Sequence, residues 1–390
     1  MITKRRAGAY LLGIILLVAA LTAVVTNRIT VRELQKVSPE YQELETLRQL
    51  IDQNYYAGVD DKALFEGAKA GLVAGLQDPY SHYYTAEQNA LLMEVSAGAY
   101  SGIGVAVQRN PDTGVVTIIR VYEGSPAEQQ GLKAGAAVVK VAGEDVGERT
   151  LDELVAVIKG QPGTKVTITI EQGGEQRDVE LTRAQIQIRN VAYRMLEGGV
   201  GYIEIAEFLG RSAEEFQQAV DALKAQGMQK LVVDLRNNPG GYLNHAVEIS
   251  DILLPEGLIV SIRDRAGQEK TYSSDANALG IPLAILVNEH SASASEIVSG
   301  AVKDYGVGIL VGQKTFGKGV VQSVLPLEGG AALWLTTATY YTPNGTSIHG
   351  VGIAPDIQVE IPAYYTEHPE EFNEAADTQL QRALEELNKQ

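Results

Sequence analysis

No cysteine occurs among the 390 residues. That excludes a disulfide framework, a thiolate nucleophile and a metal site built on sulfur. Positive charge is in deficit. There are 32 lysines and arginines against 49 acidic residues, a formal charge of −17. Such a surface repels polyphosphate, so nucleic acid is not an expected partner. Histidine is limited to five positions, 82, 245, 290, 349 and 368. The G-x-S-x-G elbow of many serine hydrolases is also missing.

What is present describes a globular chain. Apolar residues make up 45% and charged residues 21%, enough for a real core in two or three domains. At the N-terminus, Lys4, Arg5 and Arg6 precede an uncharged run from Ala7 to Thr26. About 20 apolar residues cross a bilayer as a helix, and flanking cations stay on the cytoplasmic side. No clean A-x-A cleavage site follows. Residues 1–30 therefore read as a membrane anchor, a single-pass transmembrane helix, with a cleaved signal as the alternative. The remaining chain is expected on the outer face of the cell membrane, in a bacterial envelope.

Residues 37–95 carry helical periodicity, with Leu44, Leu47, Leu50 and Ile51 on one face and Leu64, Ala68, Leu72 and Leu76 on another. The turn-like DPYSHYY (78–84) interrupts them. Near residue 98 the texture changes to short β-rich runs parted by glycine turns, with a helix predicted over 151–160. This stretch, 96–185, resembles a PDZ domain of β-rich α+β type. SGIGV (101–105) stands where that family carries its carboxylate-binding loop, and EGSPAEQQGLKAG (123–135) is similar to the stretch that follows in bacterial members. One departure is Ala136, where the family usually has Asp. The resemblance makes Gly102, Ile103, Gly104 and Val105 the peptide-binding residues, with backbone N–H groups on a terminal carboxylate and the peptide added as a strand. An ordinary glycine turn is the plain alternative.

From residue 199, strands and helices alternate, which predicts an α/β domain with its site at the loops after strand ends. The helix over 212–227 reads as capped by Ser212 and Glu215. GQKTFGKG (312–319) matches the G-x-x-x-x-G-K of a phosphate loop. A phosphate loop also needs Ser or Thr after the lysine and a helix behind it. Gly319 follows instead, and GVVQSVLPL is β-branched and ends near Pro326, so it predicts a strand. Nucleotide binding is rejected.

Upstream, NEHSASASEI (288–297) places small residues and serines just before a helix, whose first N–H groups can stabilise negative charge. A serine there becomes a nucleophile if a base takes its proton. A neutral lysine is one such base. Lysine titrates near 10.4 in water, and a shift of about three units corresponds to roughly 4 kcal/mol, which burial can supply.

SASASEI, TFGKGVVQ and DLRNNPGG, with DPYSHYY, the PDZ-like insert and GVGIAPDI (350–357), together resemble the C-terminal processing peptidases, the tail-specific proteases of bacterial envelopes and chloroplasts. The likeness covers most of the chain past the anchor. It implies a core over 186–365 of the ClpP/crotonase-like α/β class, and a C-terminal helical segment over 366–390. It implies Ser293 as nucleophile, Lys318 as base (318 − 293 = 25 residues apart) and Gln322 as the residue that positions the amine. Gln322 lies four residues on, the same side of a strand. Oxyanion donors fall on Gly240 or Gly241 and on Ala294. The implied substrate is a protein or peptide with a free C-terminus, captured by the PDZ domain and cut upstream. No metal or other cofactor is implied, and association of protomers through terminal helices is.

Plainer readings stand beside these. Ser291 and Ser295 are confusable with Ser293. Glu296 reads as a first-turn dipole partner. His290 offers a Ser–His pair, although no Asp partner is suggested. His245 reads as helix packing, and Asp234 and Arg236 as braces for their loop. Asn344-Gly345 is first a hairpin turn. A catalytically silent PDZ scaffold is the main rival function; it would be expected to lack Ser293, Lys318 or Gln322. A crotonase-like acyl-transfer enzyme is a further rival, disfavoured by the anchor and the peptide-binding insert.

Overall fold

The computed structural model describes residues 39–110, 113–122, 124–362, 364 and 373–389. The expected anchor, 1–30, lies outside them. Among the described residues no helix is long and apolar enough to cross a membrane. The chain divides into two compact units, one ending at Gly75 and one beginning at Leu76.

The first unit contributes α1 (Pro39–Asn54) and α2 (Asp61–Ala74). Asp60 caps α2 by accepting the N–H groups of Lys62 and Ala63. Arg48 of α1 joins the helices, 3.1 Å from Asp61. Neither helix has a buried residue, and Leu47, Leu50 and Leu72 are exposed.

The second unit opens with β1 (His82–Tyr84) and α3 (Ala86–Ser96), which starts on a Thr85/Gln88 capping box. A small β-rich domain follows. Its elements are β2 (Ala99–Gly102), β3 (Val105–Arg109), β4 (Val116–Val121), α4 (Pro126–Gln129), β5 (Ala137–Val141), β6 (Glu144–Asp145), α5 (Leu151–Ile158), β7 (Lys165–Gln172), β8 (Glu175–Thr182) and β9 (Ala184–Gln187). The sheet order is β3-β4-β5-β7-β8, with β6 on β5. β2 pairs with β9, so the chain enters and leaves this domain through one two-stranded ribbon. Ile103, Ile118, Leu154, Ile168 and Leu181 fill its core. Ala136, where the family usually has Asp, is buried in the same cluster.

The core sheet combines β10 (Val191–Leu196), β11 (Val200–Ile205), β12 (Lys230–Asp234), β15 (Leu283–Val287), β16 (Ile309–Gly312) and β19 (Ile357–Gln358), in the order β10-β11-β12-β15-β16-β19. All neighbours run parallel except β10 with β11. β15 is buried throughout and β12 from Leu231 on, and the apolar runs Leu231–Val233 and Leu283–Val287 follow from that. Helices α6 (Ser212–Ala225), α7 (Leu243–Leu253) and α8 (Ala294–Tyr305) contribute Phe216, Ile249 and Val298 to the main cluster. A second sheet contains β13 (Gly257–Asp264), β14 (Glu269–Ser274), β17 (Val320–Pro326) and the long β18 (Ala332–Tyr341), with β1 added to β18. The stretch behind Lys318 is thus strand β17.

One expectation is corrected. Ser212 does not cap α6: the N-cap is Arg211, Ser212 Oγ lies 2.9 Å from His245 Nδ1, and Glu215 accepts the N–H groups of Asn190 and Val191. Tertiary partners outbid the local cap. The last helix, α9 (Thr378–Leu387), buries Leu380, Ala383 and Leu387 against Val200, Val232 and Leu286 of its own chain.

Candidate active site

β15 ends at Val287 and α8 begins at Ala294, with Ser293 as its N-cap. Ser293 sits at φ 54, ψ −110. Such a backbone costs a non-glycine residue about 1–3 kcal/mol and persists only where its surroundings over-determine it. They do. Glu296, fully buried one turn on, accepts the N–H groups of Ser293 and of Lys318 on one carboxylate oxygen, each at 2.9 Å. Its other oxygen accepts the Gly317 N–H at 2.8 Å and the Thr315 hydroxyl at 2.6 Å. Burial pushes the Glu296 carboxyl up, and these donated hydrogen bonds oppose the push. Accepting at both oxygens is the role of the ionised form. The hydroxyl of buried Tyr340 lies 3.0 Å from the Ser293 carbonyl oxygen and 2.8 Å from that of Lys318. Both ends of the two backbones are therefore tied to shared partners, which leaves the side chains to meet.

The loop carrying Lys318 is pressed against the GVGIAPDI segment. Gly317 has φ +92, and a Cβ there would lie 2.8 Å from the Gly352 nitrogen, so only glycine fits. Lys318 is half-buried. Burial draws its amine below the usual lysine value, and the nearby Asp78 carboxylate works the other way. No carboxylate among the described residues forms an ion pair with it. Its Nζ lies 4.8 Å from the centre of the Tyr80 ring, and no hydrogen bond to Ser293 Oγ is formed in this conformation. Gln322 faces the same cleft, yet its amide donates to Thr336 Oγ1 at 3.4 Å rather than to the amine. The strand rule fails here because β17 starts only at Val320 and has a bulge between Val321 and Gln322.

The oxyanion candidates separate cleanly. The Gly240 N–H is taken by Asn238 Oδ1 at 2.8 Å. The N–H groups of Gly241 and Ala294 have no acceptor among the described residues. Gly240 instead allows close approach: a Cβ there would lie 2.8 Å from both the Ala292 oxygen and the Ser293 Cβ. Asn238, fully buried, supports the turn by donating to the Ile205 carbonyl and accepting from the Ala292 N–H.

Ser293, Ala294, Gly241, Lys318 and Gln322 line one cleft of about 510 Å³, with Leu209, Leu243, Ile297, Val320 and Trp334 as apolar wall. The alternatives fall elsewhere. His290 is exposed, lines a different cleft and has Glu289 at 3.8 Å, so no Ser–His pair is assembled. Ser291 and Ser295 are buried and donate to the carbonyls of Leu235 and Asn238. Arg236 is paired with Asp234 and Asp377 and braces its loop.

In the small domain, Ile103 is fully buried and Gly104 has φ +84. Their carbonyls accept from Ala127 and Tyr122, while neither N–H has an acceptor among the described residues. Gly102 closes β2, and Val105 opens β3, an edge strand that among the described residues pairs with β4 alone. This geometry offers donors for one carboxylate and an open edge for one added strand.

The sequence reading missed the roles of Glu296 and Tyr340. The spacing Ser-x-x-Glu was a signal for the first, since it is a capping-box pattern. Nothing local marked Tyr340, which comes from a strand 47 residues away. Tyr80, whose ring lies against the amine, and Asp78 of the same turn lay in a stretch read as a turn and as one of the motifs of the resemblance, with no role given to either.

Three segments of the chain match known families, and the chain has relatives among known proteins. Residues 199–359 match the family described as peptidase family S41, residues 117–172 match a PDZ domain, and residues 18–88 match the activating protease CtpB N-terminal domain. A probable CtpA-like serine protease of Staphylococcus aureus (strain COL) is 36% identical over 91% of this chain and 72% of its own. A namesake in Staphylococcus epidermidis is 34% identical over 91% and 73%. The structure of a photosystem II D1 C-terminal processing protease is 29% identical, with a TM-score of 0.50 over 83% of this chain and 94% of that one. A putative S41 protease from Bacteroides fragilis, 19% identical with a TM-score of 0.54 over 87% and 96%, shares the fold.

Proposed function

We propose a mechanism from one premise: the chain belongs to the CtpA-like serine proteases of peptidase family S41, and is a serine-type C-terminal processing peptidase with a PDZ domain. Neutral Lys318 takes the proton of Ser293 Oγ as the oxygen attacks a peptide carbonyl. The oxyanion rests on the N–H groups of Gly241 and Ala294. The ammonium then protonates the leaving amine, and water, activated by the same lysine, releases the acyl group. Gln322 would turn from Thr336 toward the amine when the cleft is filled. The observation that carries this reading is the shared bracing of Ser293 and Lys318 by Glu296 and Tyr340.

The substrate arrives as an extended or unfolded chain. Its terminal carboxylate sits on the Ile103 and Gly104 N–H groups and its last residues add to β3. Helix α3 supports continuity from there to the cleft: Glu94 accepts the Ser101 N–H at 2.8 Å, and Met93 and Ser96 line the cleft. The PDZ domain is taken as 96–185 and the protease core, of ClpP/crotonase-like class, as 186–365. Residues 1–30 hold the enzyme in the cell membrane with its catalytic part outside, a reading supported by the cations before the uncharged run. Self-association through α1 and α2 is supported by their exposed leucines.

Digestion of an unfolded protein with an apolar tail tests the core of this reading. Ser293→Ala and Lys318→Ala should each lose about 10⁴-fold or more in kcat. Near-normal turnover by Lys318→Ala would remove the dyad.

A further inference from the structure

The turn at 78–81 lies against the amine of Lys318 and has no part in the mechanism above. Tyr80 turns its ring face to Nζ at 4.8 Å, within reach of a cation–π contact. Asp78 is held in place by its own turn: it accepts the Ser81 hydroxyl at 2.5 Å and the Tyr80 N–H at 3.1 Å. Burial works against its ionisation, but hydrogen bonds from Ser81 and Thr336 keep the carboxyl below its ordinary value. Thr336 is also the acceptor of the Gln322 amide, and its N–H donates to Ser81 Oγ at 3.0 Å. One short turn thus touches both Lys318 and the partner of Gln322.

We propose that Tyr80 and Asp78 are positioning residues that form a seat for the protonated amine of Lys318, holding it off Ser293 until the side chain swings toward the nucleophile. The inference rests on Lys318 being the base. The other groups facing Lys318 do not offer such a seat. Glu296 spends both oxygens on Ser293, Thr315, Gly317 and the Lys318 N–H. Tyr340 points its hydroxyl at the two carbonyls. His349 meets the Tyr80 ring edge to face, at 6.4 Å between centres. Burial, with Asp78 and Glu296, pushes the Tyr80 hydroxyl up, so the ring meets the cation uncharged. A ring face and a carboxylate both favour ammonium over amine. Removing either must make the proton easier to lose.

The test reads the lysine itself and not turnover. The full chain carrying Ser293→Ala is labelled with ¹³Cε-lysine, Lys318 is assigned by its loss in Lys318→Met, and its resonance is titrated with pH. Tyr80→Leu and Asp78→Asn should each move the midpoint about half a unit to one unit toward acid. Tyr80→Phe, which keeps a ring face, should leave it within a few tenths. An unchanged midpoint in both Tyr80→Leu and Asp78→Asn, or a move toward alkali, overturns the seat. If Tyr80→Leu does not fold, Asp78→Asn decides alone. Failure of the base assignment would look different: Lys318→Ala would still turn over substrate, whatever the titration shows.

Discussion

Two regions of this molecule leave paired N–H groups without an acceptor among the described residues, and they are built differently. In the PDZ domain, Ile103 and Gly104 sit in a short loop whose carbonyls are held by Ala127 and Tyr122, beside an open edge strand. In the core, Gly241 and Ala294 sit between a fully buried asparagine and a helix whose first turn is locked by a buried glutamate. In the proposed mechanism the first pair meets a charge that exists before binding, and the second a charge that exists only in the transition state. Recognition tolerates a loop that adjusts to its ligand. Catalysis needs donors already in place, because reorganisation at the moment of reaction costs rate.

The sharpest way to break the contrast is Glu296→Gln. A glutamine offers one oxygen where the carboxylate offers two, so one side would point an NH₂ at N–H donors. Misplacement of the dyad should cost about 10²-fold or more in kcat, with KM for a tailed substrate little changed. A loss confined to KM would contradict the bracing role. The matching change in the PDZ domain is Gly104→Ala. Gly104 has φ +84, and a Cβ would lie 2.0 Å from the Ser125 Cβ. We expect KM for a tailed protein to rise about 10-fold, the cost of roughly 1.4 kcal/mol of binding, while kcat on a short peptide is kept. Amidating the tail should reproduce that effect on wild-type enzyme, and equal rates for acid and amide would remove carboxylate capture. The smallest effect is on stability. Lys318 has a lowered value when folded, so it is the unfolded chain that holds the proton more tightly, and stability is lost below the folded value and recovered as pH rises toward the ordinary lysine value. Lys318→Met should therefore melt slightly higher than wild type at pH 7, with the gain fading in alkali.

The two regions also differ in how well sequence describes them. The PDZ strands were legible because alternation and glycine turns are local signals, as in β7, where KVTITIEQ lies between two turns. The core's parallel strands were legible as apolar runs. The second sheet was read only at β17, because β13, β14 and β18 are half-exposed and carry mixed polar and apolar residues. Ser293, Lys318 and Gln322 were named from motifs, and the structure brings all three to one cleft. Their supports were harder to read. Tyr340 reaches both carbonyls from a distant strand, and the bulge that turns Gln322 toward Thr336 exists only once β17 and β18 pair. Ser212 shows the converse error: a good local cap pattern lost to a histidine 33 residues away.

The account turns on an uncharged lysine beside a serine. The most direct measurement is the rate at which a fluorophosphonate phosphonylates Ser293, with loss of fluoride, in a peptide-occupied enzyme, followed against pH in wild type and Lys318→Ala. We predict a rise with pH whose midpoint lies below the ordinary lysine value of about 10.4, and loss of that rise in the variant. A midpoint near 6.5, the ordinary histidine value, or the same rise in Lys318→Ala, would contradict it.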